Sequence, residues 1–248
     1  MPEKKKDIKL IALDMDGTLL TSGNEITKPT REVIAKALEK DIYVVLSTGR
    51  FLDNCYPFAE SLQLTSYLIP VNGGEIWTMD KELLERHLLD PKMMEKMWEL
   101  ANHLGMNTWI VSTEKVYYQG DRPDDFYAHE WLKFGCDSED KHKLDKIVEE
   151  LSYYDELELT NSLPTNIEVN PTGVNKANAL KRVCKEIGIT MDQVMAAGDS
   201  LNDIKMIQEA GVGVAMGNAQ EAIKKVADYV TDSNNNDGVA KAIERFAL

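Results

Sequence analysis

Residues 8–19 read IKLIALDMDGTL, and this segment is the strongest indication of the fold in the sequence. Its first half, residues 8–13, is a short apolar run of the kind that forms a strand buried on both faces of a parallel sheet. Its second half places two carboxylates, Asp14 and Asp16, in a Gly-Thr turn directly after that strand. Because open parallel sheets bind ligands at the carboxyl ends of their strands, both carboxylates are predicted to lie at a functional site.

Further apolar runs alternate with helical patterns, first as far as residue 71 and again after Gly173. The helical patterns repeat apolar residues at every third or fourth position, as an amphipathic helix does. This rhythm predicts an α/β fold with a Rossmann-like parallel sheet core and right-handed crossovers. The other predicted core strands are residues 42–46, 67–71, 194–197, 212–215 and 229–231.

The alternation stops after Asn72-Gly73-Gly74, where a strand pair and then a helix-strand-strand pattern occurring twice are predicted. We therefore expect a core of residues 1–83 and 170–248 that carries an inserted α+β cap domain of residues 84–169. Within the cap, helices are expected from residue 91 and at residues 143–151, and strands at residues 108–112, 116–119, 157–160 and 166–169.

Composition narrows the function classes. The formal net charge of −14 disfavours nucleic acid and anionic membranes, which need a positive patch for binding. The three cysteines are far apart and predict no disulfide framework. The first ten residues, MPEKKKDIKL, show no signal-peptide pattern, and no run approaches the roughly 18 apolar residues of a membrane helix. A cytoplasmic protein is expected.

Four polar clusters fall at strand or helix ends that can face the same edge of the predicted sheet. Hard cations such as Mg²⁺ prefer oxygen ligands, and two carboxylates in one loop can supply them. A bound Mg²⁺ would offset the repulsion between these carboxylates and keep Asp14 ionised. The clusters are Asp14–Leu19 (DMDGTL), Ser47–Arg50 (STGR), Asn175-Lys176 and Gly198–Asp203 (GDSLND).

An ionised Asp14 can attack phosphorus in line and form an aspartyl-phosphate. Phosphoryl transfer depends mainly on positioning and charge neutralisation, for which Mg²⁺, the Lys176 ammonium and the hydroxyl of Ser47 or Thr48 are suited. Asp16 then lies on the leaving-group side as a candidate general acid and base.

These four motifs, in this order, resemble those of the haloacid dehalogenase-like superfamily, and in particular its Cof-type sugar-phosphatase branch with a large cap. The resemblance covers nearly the whole chain. It implies a Mg²⁺ cofactor held by Asp14, the carbonyl of Asp16, and Asp199. It further implies Asp14 as nucleophile, Asp16 as general acid/base, Arg50 and Asp203 as supporting residues beside the reacting groups, and a phosphate site of Met15, Ser47, Thr48, Gly49, Lys176 and Asn202.

The predicted function is hydrolysis of a small phosphorylated metabolite, with sugar phosphates favoured. A phosphomutase or phosphotransferase on the same fold, and a regulatory relative without turnover, remain alternatives. Residues 86–168 contain 18 Asp and Glu against 9 Lys and Arg, a net charge of −9. If these carboxylates cover the leaving group, they would repel further phosphates, so a preference for sugar monophosphates over bisphosphates is expected.

Overall fold

A computed structural model describes residues 7–248, which form two β-sheets and eight α-helices. The larger sheet contains β1 (Leu10–Leu13), β2 (Tyr43–Ser47), β3 (Tyr67–Ile69), β4 (Glu75–Thr78), β5 (Leu83–Arg86), β11 (Val194–Gly198), β12 (Val212–Ala215) and β13 (Tyr229–Val230). The smaller sheet contains β6 (Asn107–Ser112), β7 (Val116–Tyr118), β8 (Trp131–Asp137), β9 (Leu157–Thr160) and β10 (Asn166–Pro171).

Strand β1 lies at the centre of the larger sheet, whose order is β13-β12-β11-β1-β2-β3-β4-β5. The first six of these strands are parallel. Strand β4 runs antiparallel to β3, and β5 runs antiparallel to β4. In chain order, β2 to β5 are added on one side of β1, and β11 to β13 are added later on its other side. Leu13 is in register with both Leu46 and Ala197, so three strands end side by side where the strand order reverses.

Helices cover both faces of the larger sheet, because successive β1 side chains enter opposite cores. Ile11 and Leu13 belong to one apolar cluster, whereas Leu10 and Ala12 belong to another. This two-sided burial explains the continuous apolar run in the sequence and confirms the predicted α/β fold class. The helices of this part are α1 (Lys28–Leu38), α2 (Leu52–Ser61), α5 (Lys176–Ile187), α6 (Ile204–Glu209), α7 (Glu221–Val226) and α8 (Gly238–Phe246).

The smaller sheet is antiparallel, in the order β7-β6-β8-β10-β9, and it comes between β5 and α5 in the chain. Helices α3 (Pro91–His103) and α4 (Lys141–Leu151) pack against one of its faces. Side chains such as Met97, Ile147, Phe134 and Trp131 are buried between helices and sheet. We call this unit the cap.

The central cap strand, β8, is absent from the sequence-based prediction. Its sequence, WLKFGCD, places Lys133 and Gly135 inside the apolar pattern, and both residue types are depleted in strands. The structure nevertheless buries six of the seven residues of β8, between β6 and β10. Tertiary contacts of these two residues therefore override their local preference.

Two sequence-based expectations stay predictions. The domain boundaries at 83/84 and 169/170 fall inside β5 and β10, which pair with the larger and the smaller sheet respectively. The signal-peptide interpretation rests on residues 1–10, of which residues 1–6 lie outside the described residues. Among residues 7–248, none of the helices combines the length and the hydrophobicity needed to cross a bilayer.

Candidate active site

The four motifs meet at the carboxyl end of the larger sheet. Asp14 directly follows β1, Ser47 is the last residue of β2, and Asp199 directly follows β11. Lys176 is the first residue of α5, which Asn175 caps by accepting a hydrogen bond from the Asn178 backbone N–H. The strand register thus brings together residues that are up to 185 positions apart in the chain.

A fully buried lysine is at the centre of the site. Lys176 Nζ lies 2.6 Å from Asp14 Oδ1 and 2.7 Å from Asp203 Oδ1. Burial alone would lower the pKa of Lys176, but the charges of Asp14 and Asp203 outweigh it and raise that pKa. The ammonium group therefore stays charged and fixes one oxygen of Asp14.

Carboxylate oxygens of Asp14, Asp199 and Asp203 all lie within 4.8 Å of one another. Burial raises the pKa of Asp14 well above its ordinary value, and the charges of Asp203 and Asp199 add to the rise while Lys176 opposes it. Burial, followed by the charge of Asp203, raises the pKa of Asp199 to about 6. One ammonium group does not balance three carboxylates, and a hard divalent cation would. The donor set therefore fits Mg²⁺.

Asp203 also shapes the loop that follows β11. Its Oδ2 accepts hydrogen bonds from the backbone N–H groups of Asp199 and Ser200, at 2.9 and 3.1 Å. Its Oδ1 accepts from Lys176, so both of its oxygens are engaged by protein groups. This geometry favours a positioning role for Asp203, as the sequence suggested, over that of a metal ligand.

The Asp16 carboxylate does not join this cluster. Arg50 binds it through two hydrogen bonds, Nε to Oδ2 at 2.8 Å and Nη2 to Oδ1 at 2.6 Å. Arg50 Nη2 also donates to Asn24 Oδ1 at 2.7 Å. The Asp16 side chain is 59% exposed and lines the cavity described below, so this pair holds a carboxylate at the cavity wall.

The predicted phosphate-binding residues surround Asp14. Met15, Ser47, Thr48 and Asn202 are buried there, and Gly49 lines the cavity. Ser47 Oγ and Asn202 Oδ1 are buried without a hydrogen-bond partner among the described residues. Buried polar atoms are normally paired, and the Ser47 hydroxyl can donate to a phosphate oxygen bound at this place. Asn202 Oδ1 can only accept, so its partner would have to be a donor or a cation.

The residues that join the cap to the core were not predicted from the sequence. Lys133, in the unpredicted strand β8, donates from Nζ to the Gly49 carbonyl at 2.7 Å and to Glu168 Oε1 at 3.1 Å. Glu168 Oε2 accepts from Asn72 Nδ2 at 2.7 Å, and Asn72 Oδ1 accepts from Asn202 Nδ2 at 3.2 Å. Glu168 and Asn72 were not among the site residues predicted from the sequence. The lysine inside an apolar strand was the available signal for Lys133.

The Lys133–Glu168 pair is almost fully buried, with 4% and 7% of the two side chains exposed. Burial alone would raise the pKa of Glu168, but the charge of Lys133 and the hydrogen bond from Asn72 outweigh it and lower that pKa. The Glu168 carboxylate is therefore ionised at neutral pH. A buried ion pair bridges the cap and the loop after β2.

A second set of contacts joins the cap to the core on the other side of Asp14. The cap loop between β9 and β10 accepts two hydrogen bonds from the loop after β11. They run from Ser200 Oγ to the Ser162 carbonyl at 2.8 Å and from the Asn202 backbone N–H to the Asn161 carbonyl at 3.1 Å. The cap thus contacts the core on both sides of Asp14.

Between these contacts lies a cavity of about 480 Å³. Its walls from the larger sheet include Asp14, Asp16, Arg50 and Asp199. Its walls from the cap are Trp109, Lys133, Ser162, Leu163 and Glu168. Of the 18 carboxylates counted between residues 86 and 168, Glu168 reaches this cavity, and it is paired with Lys133. The expectation that the cap carboxylates cover the leaving group is therefore wrong, because the other 17 do not line this cavity.

Comparison with known proteins agrees with this geometry. The family model for haloacid dehalogenase-like hydrolases matches residues 11–138 and 120–243. The chain belongs to the haloacid dehalogenase-like hydrolase family. The resemblance to its Cof-type branch, based on the four motifs, is confirmed, and the chain is a phosphatase.

Similar members of this family span the whole chain. The 5-amino-6-(5-phospho-D-ribitylamino)uracil phosphatase YcsE of Bacillus subtilis is 53% identical over 98% of this chain and 97% of its own. A solved haloacid dehalogenase-like hydrolase from Bacteroides thetaiotaomicron is 33% identical, with a TM-score of 0.81 over 96% of this chain and 99% of its own. Another from B. subtilis is 26% identical, with a TM-score of 0.89 over 97% and 100%.

The buried pair gives this haloacid dehalogenase-like hydrolase a measurable dependence on Lys133. Lys133→Met leaves the Glu168 charge buried without its counter-ion, so the free energy of unfolding should fall by about 3–5 kcal/mol at pH 7. The exposed Lys146→Met control should stay within about 0.5 kcal/mol of the wild type. Urea unfolding measures both.

The stability that the Lys133–Glu168 pair contributes should depend on pH in a definite direction. Because the folded-state pKa of Glu168 is lowered, the contribution of its charge is present at neutral pH and is lost as pH falls through that folded value. The difference in the free energy of unfolding between the wild type and Lys133→Met should therefore become smaller in acid. At pH 7, adding Glu168→Gln to Lys133→Met should recover part of the lost stability, because the unpaired charge is removed. Wild-type stability in Lys133→Met would contradict the assignment.

Proposed function

We propose that this phosphatase hydrolyses a small phosphate monoester through an aspartyl-phosphate on Asp14, with Mg²⁺ as cofactor. The observation that carries the proposal is the Asp14 carboxylate, which lies at the end of β1 on the cavity wall with one oxygen held by Lys176 at 2.6 Å. The second oxygen is left to attack phosphorus. Held in this way, the nucleophile loses little freedom on the way to the transition state.

In the proposed first step, Asp14 attacks phosphorus, the bond to the ester oxygen breaks, and Asp16 donates a proton to that oxygen. The product alcohol leaves, and the phosphoryl group remains on Asp14. In the second step, Asp16 takes a proton from a water molecule that attacks phosphorus and frees Asp14. Lys176 and the donors of the loop after β2 stabilise the negative charge on the transferring group in both steps.

Asp14 and Asp199, with the Asp16 carbonyl, would hold Mg²⁺. The ion would neutralise charge on the phosphoryl oxygens and on the crowded carboxylates. The orphaned Ser47 Oγ, which can donate to a phosphoryl oxygen, supports the position of the ligand that this arrangement requires. The Arg50 pair keeps Asp16 at the cavity wall, where the leaving group must pass.

For the substrate, we propose a pentitol or sugar monophosphate. Its support is the 53% identity to a Bacillus subtilis protein whose name gives a phosphorylated ribityl compound as its substrate. A second support is the charge of the cap wall. Lys133 is neutralised by Glu168, so the cap offers no unpaired cation to a second phosphate. Monophosphates are therefore preferred over bisphosphates because the cap lacks a free cation, and not because cap carboxylates cover the leaving group.

Metal removal tests the cofactor. Hydrolysis of p-nitrophenyl phosphate should stop with EDTA and return with excess Mg²⁺, while Ca²⁺ should support it poorly because Ca²⁺ takes more ligands at longer distances. Free phosphate is measured without any acceptor sugar, which also separates hydrolysis from phosphoryl transfer between sugars. Full activity in EDTA would refute the Mg²⁺ requirement.

Two substitutions distinguish the proposed roles of Asp14 and Asp16. Asp14→Asn should abolish turnover because an amide is a poor nucleophile, whereas Asp16→Asn should lower kcat by about 10²–10⁴-fold, the range for a lost general acid–base group. Asp80→Asn, in the exposed β4–β5 turn, is the matched control. Near-normal kcat in Asp14→Asn would overturn the proposed mechanism.

A further inference from the structure

One face of the cap sheet points at the core. Val111 and Lys133 are cross-strand partners on β6 and β8, and Lys133 contacts the Gly49 carbonyl of the core. Because side chains alternate along a strand, Trp109 and Gly135 lie two residues further on the same face. Alternate residues such as Ile110 and Phe134 are buried on the opposite face, with the cap helices. Trp109 therefore faces the core.

Trp109 packs directly on Gly135, which is its cross-strand partner. A Cβ placed on Gly135 would lie 2.2 Å from Trp109 Cε2 and 2.3 Å from Cζ2, closer than atoms can approach. Residue 135 must therefore be glycine for the indole to occupy this position. This contact explains a glycine in the middle of a buried strand, where it otherwise weakens pairing.

Trp109 also packs against the apolar cluster of Val71, Val111 and Leu132, and the part of the indole that stays exposed is available to a ligand. Trp109 is only half-buried and forms part of the cavity wall that also contains Asp14. Across residues 7–248, no group accepts a hydrogen bond from Trp109 Nε1, and that atom is not among the buried unpaired ones. By contrast, Nε1 of Trp131 donates to the Phe126 carbonyl, and Nε1 of Trp77 donates to Glu75.

The remaining cap walls offer little specific recognition. Lys133 and Glu168 are committed to each other and to the core. Leu163 is an aliphatic side chain, and the neighbouring Ser162 is engaged by Asn166 and Ser200. Trp109 thus supplies the one aromatic surface that the cap contributes to this cavity. Aromatic surfaces of this kind bind flat rings by stacking, with little regard to the identity of the ring.

We propose that Trp109, held in place by Gly135, is a specificity-determining residue that stacks on a flat conjugated ring at the end of the leaving group remote from the phosphate. The substrate class is then a pentitol phosphate that carries a planar heterocycle. This inference rests on the proposed function, since it takes Asp14 as the place where phosphate is cleaved.

The test compares two substrates that share the phosphate and the pentitol chain. One is 5-amino-6-(5-phospho-D-ribitylamino)uracil, and the other is D-ribitol 5-phosphate, which lacks the ring. The ratio of their kcat/KM values should favour the ring in the wild type and fall by about 5- to 150-fold in Trp109→Ala, the range for loss of one stacked base. Trp109→Phe should keep more of the ratio than Trp109→Ala.

Tyr118→Ala is the matched control. Tyr118 is the other cross-strand partner of Trp109, but it is 63% exposed and does not line the cavity, so its removal should leave the ratio unchanged. Circular dichroism checks that each variant is folded. If Trp109→Ala fails to fold, the comparison of Trp109→Phe with the wild type decides.

The outcomes separate the two proposals. Equal kcat/KM for both substrates in the wild type, or a ratio that Trp109 substitutions do not change, overturns the stacking role and leaves the proposed hydrolysis standing. Failure of the wild type to release phosphate from either substrate and from p-nitrophenyl phosphate in Mg²⁺ overturns the proposed function, and the stacking role with it.

Discussion

The ion pair between buried Lys176 and Asp14 is the interaction on which the site depends. Three strands end beside one another at β1, and their loops bring Asp14, Asp199 and Asp203 within 4.8 Å. Such crowding is unfavourable unless positive charge is buried with it. Lys176 supplies that charge from the first turn of α5, and it also fixes the orientation of the proposed nucleophile. The folded site and the proposed chemistry therefore both require a buried positive charge at position 176.

The cap is tied to this centre by a chain of polar contacts. It runs from the Gly49 carbonyl through Lys133, Glu168 and Asn72 to Asn202, beside the proposed phosphate site. Asn72 adopts a left-handed backbone conformation, with φ of 59°, as it makes these contacts. A conformation of this kind is tolerated by Asn better than by most residues, because its short polar side chain can form local hydrogen bonds. The same contacts that hold the cap closed thus define the wall that faces the leaving group.

Much of the fold could be predicted from the sequence, because its signals are local. The apolar run of β1 and the motifs at strand ends each lie within a few residues, so they can be recognised without knowledge of tertiary contacts. Strand β8 could not be found in this way, since Lys133 is stabilised by Glu168 and Gly135 is required by Trp109, partners 35 and 26 positions away. The charge count of the cap failed for a related reason. A count gives the sum of charges but not the direction in which each side chain points.

Trapping of the phosphoryl group on the enzyme shows whether Asp14 is the nucleophile. The reaction with a phosphate-labelled substrate is quenched in acid within one turnover, and the labelled peptide is mapped by mass spectrometry. The account predicts label on Asp14, at up to one phosphoryl group per chain, with more label retained when Asp16 is replaced by Asn. Label on a different residue would contradict it, as would continued turnover with no labelled Asp14 in either protein.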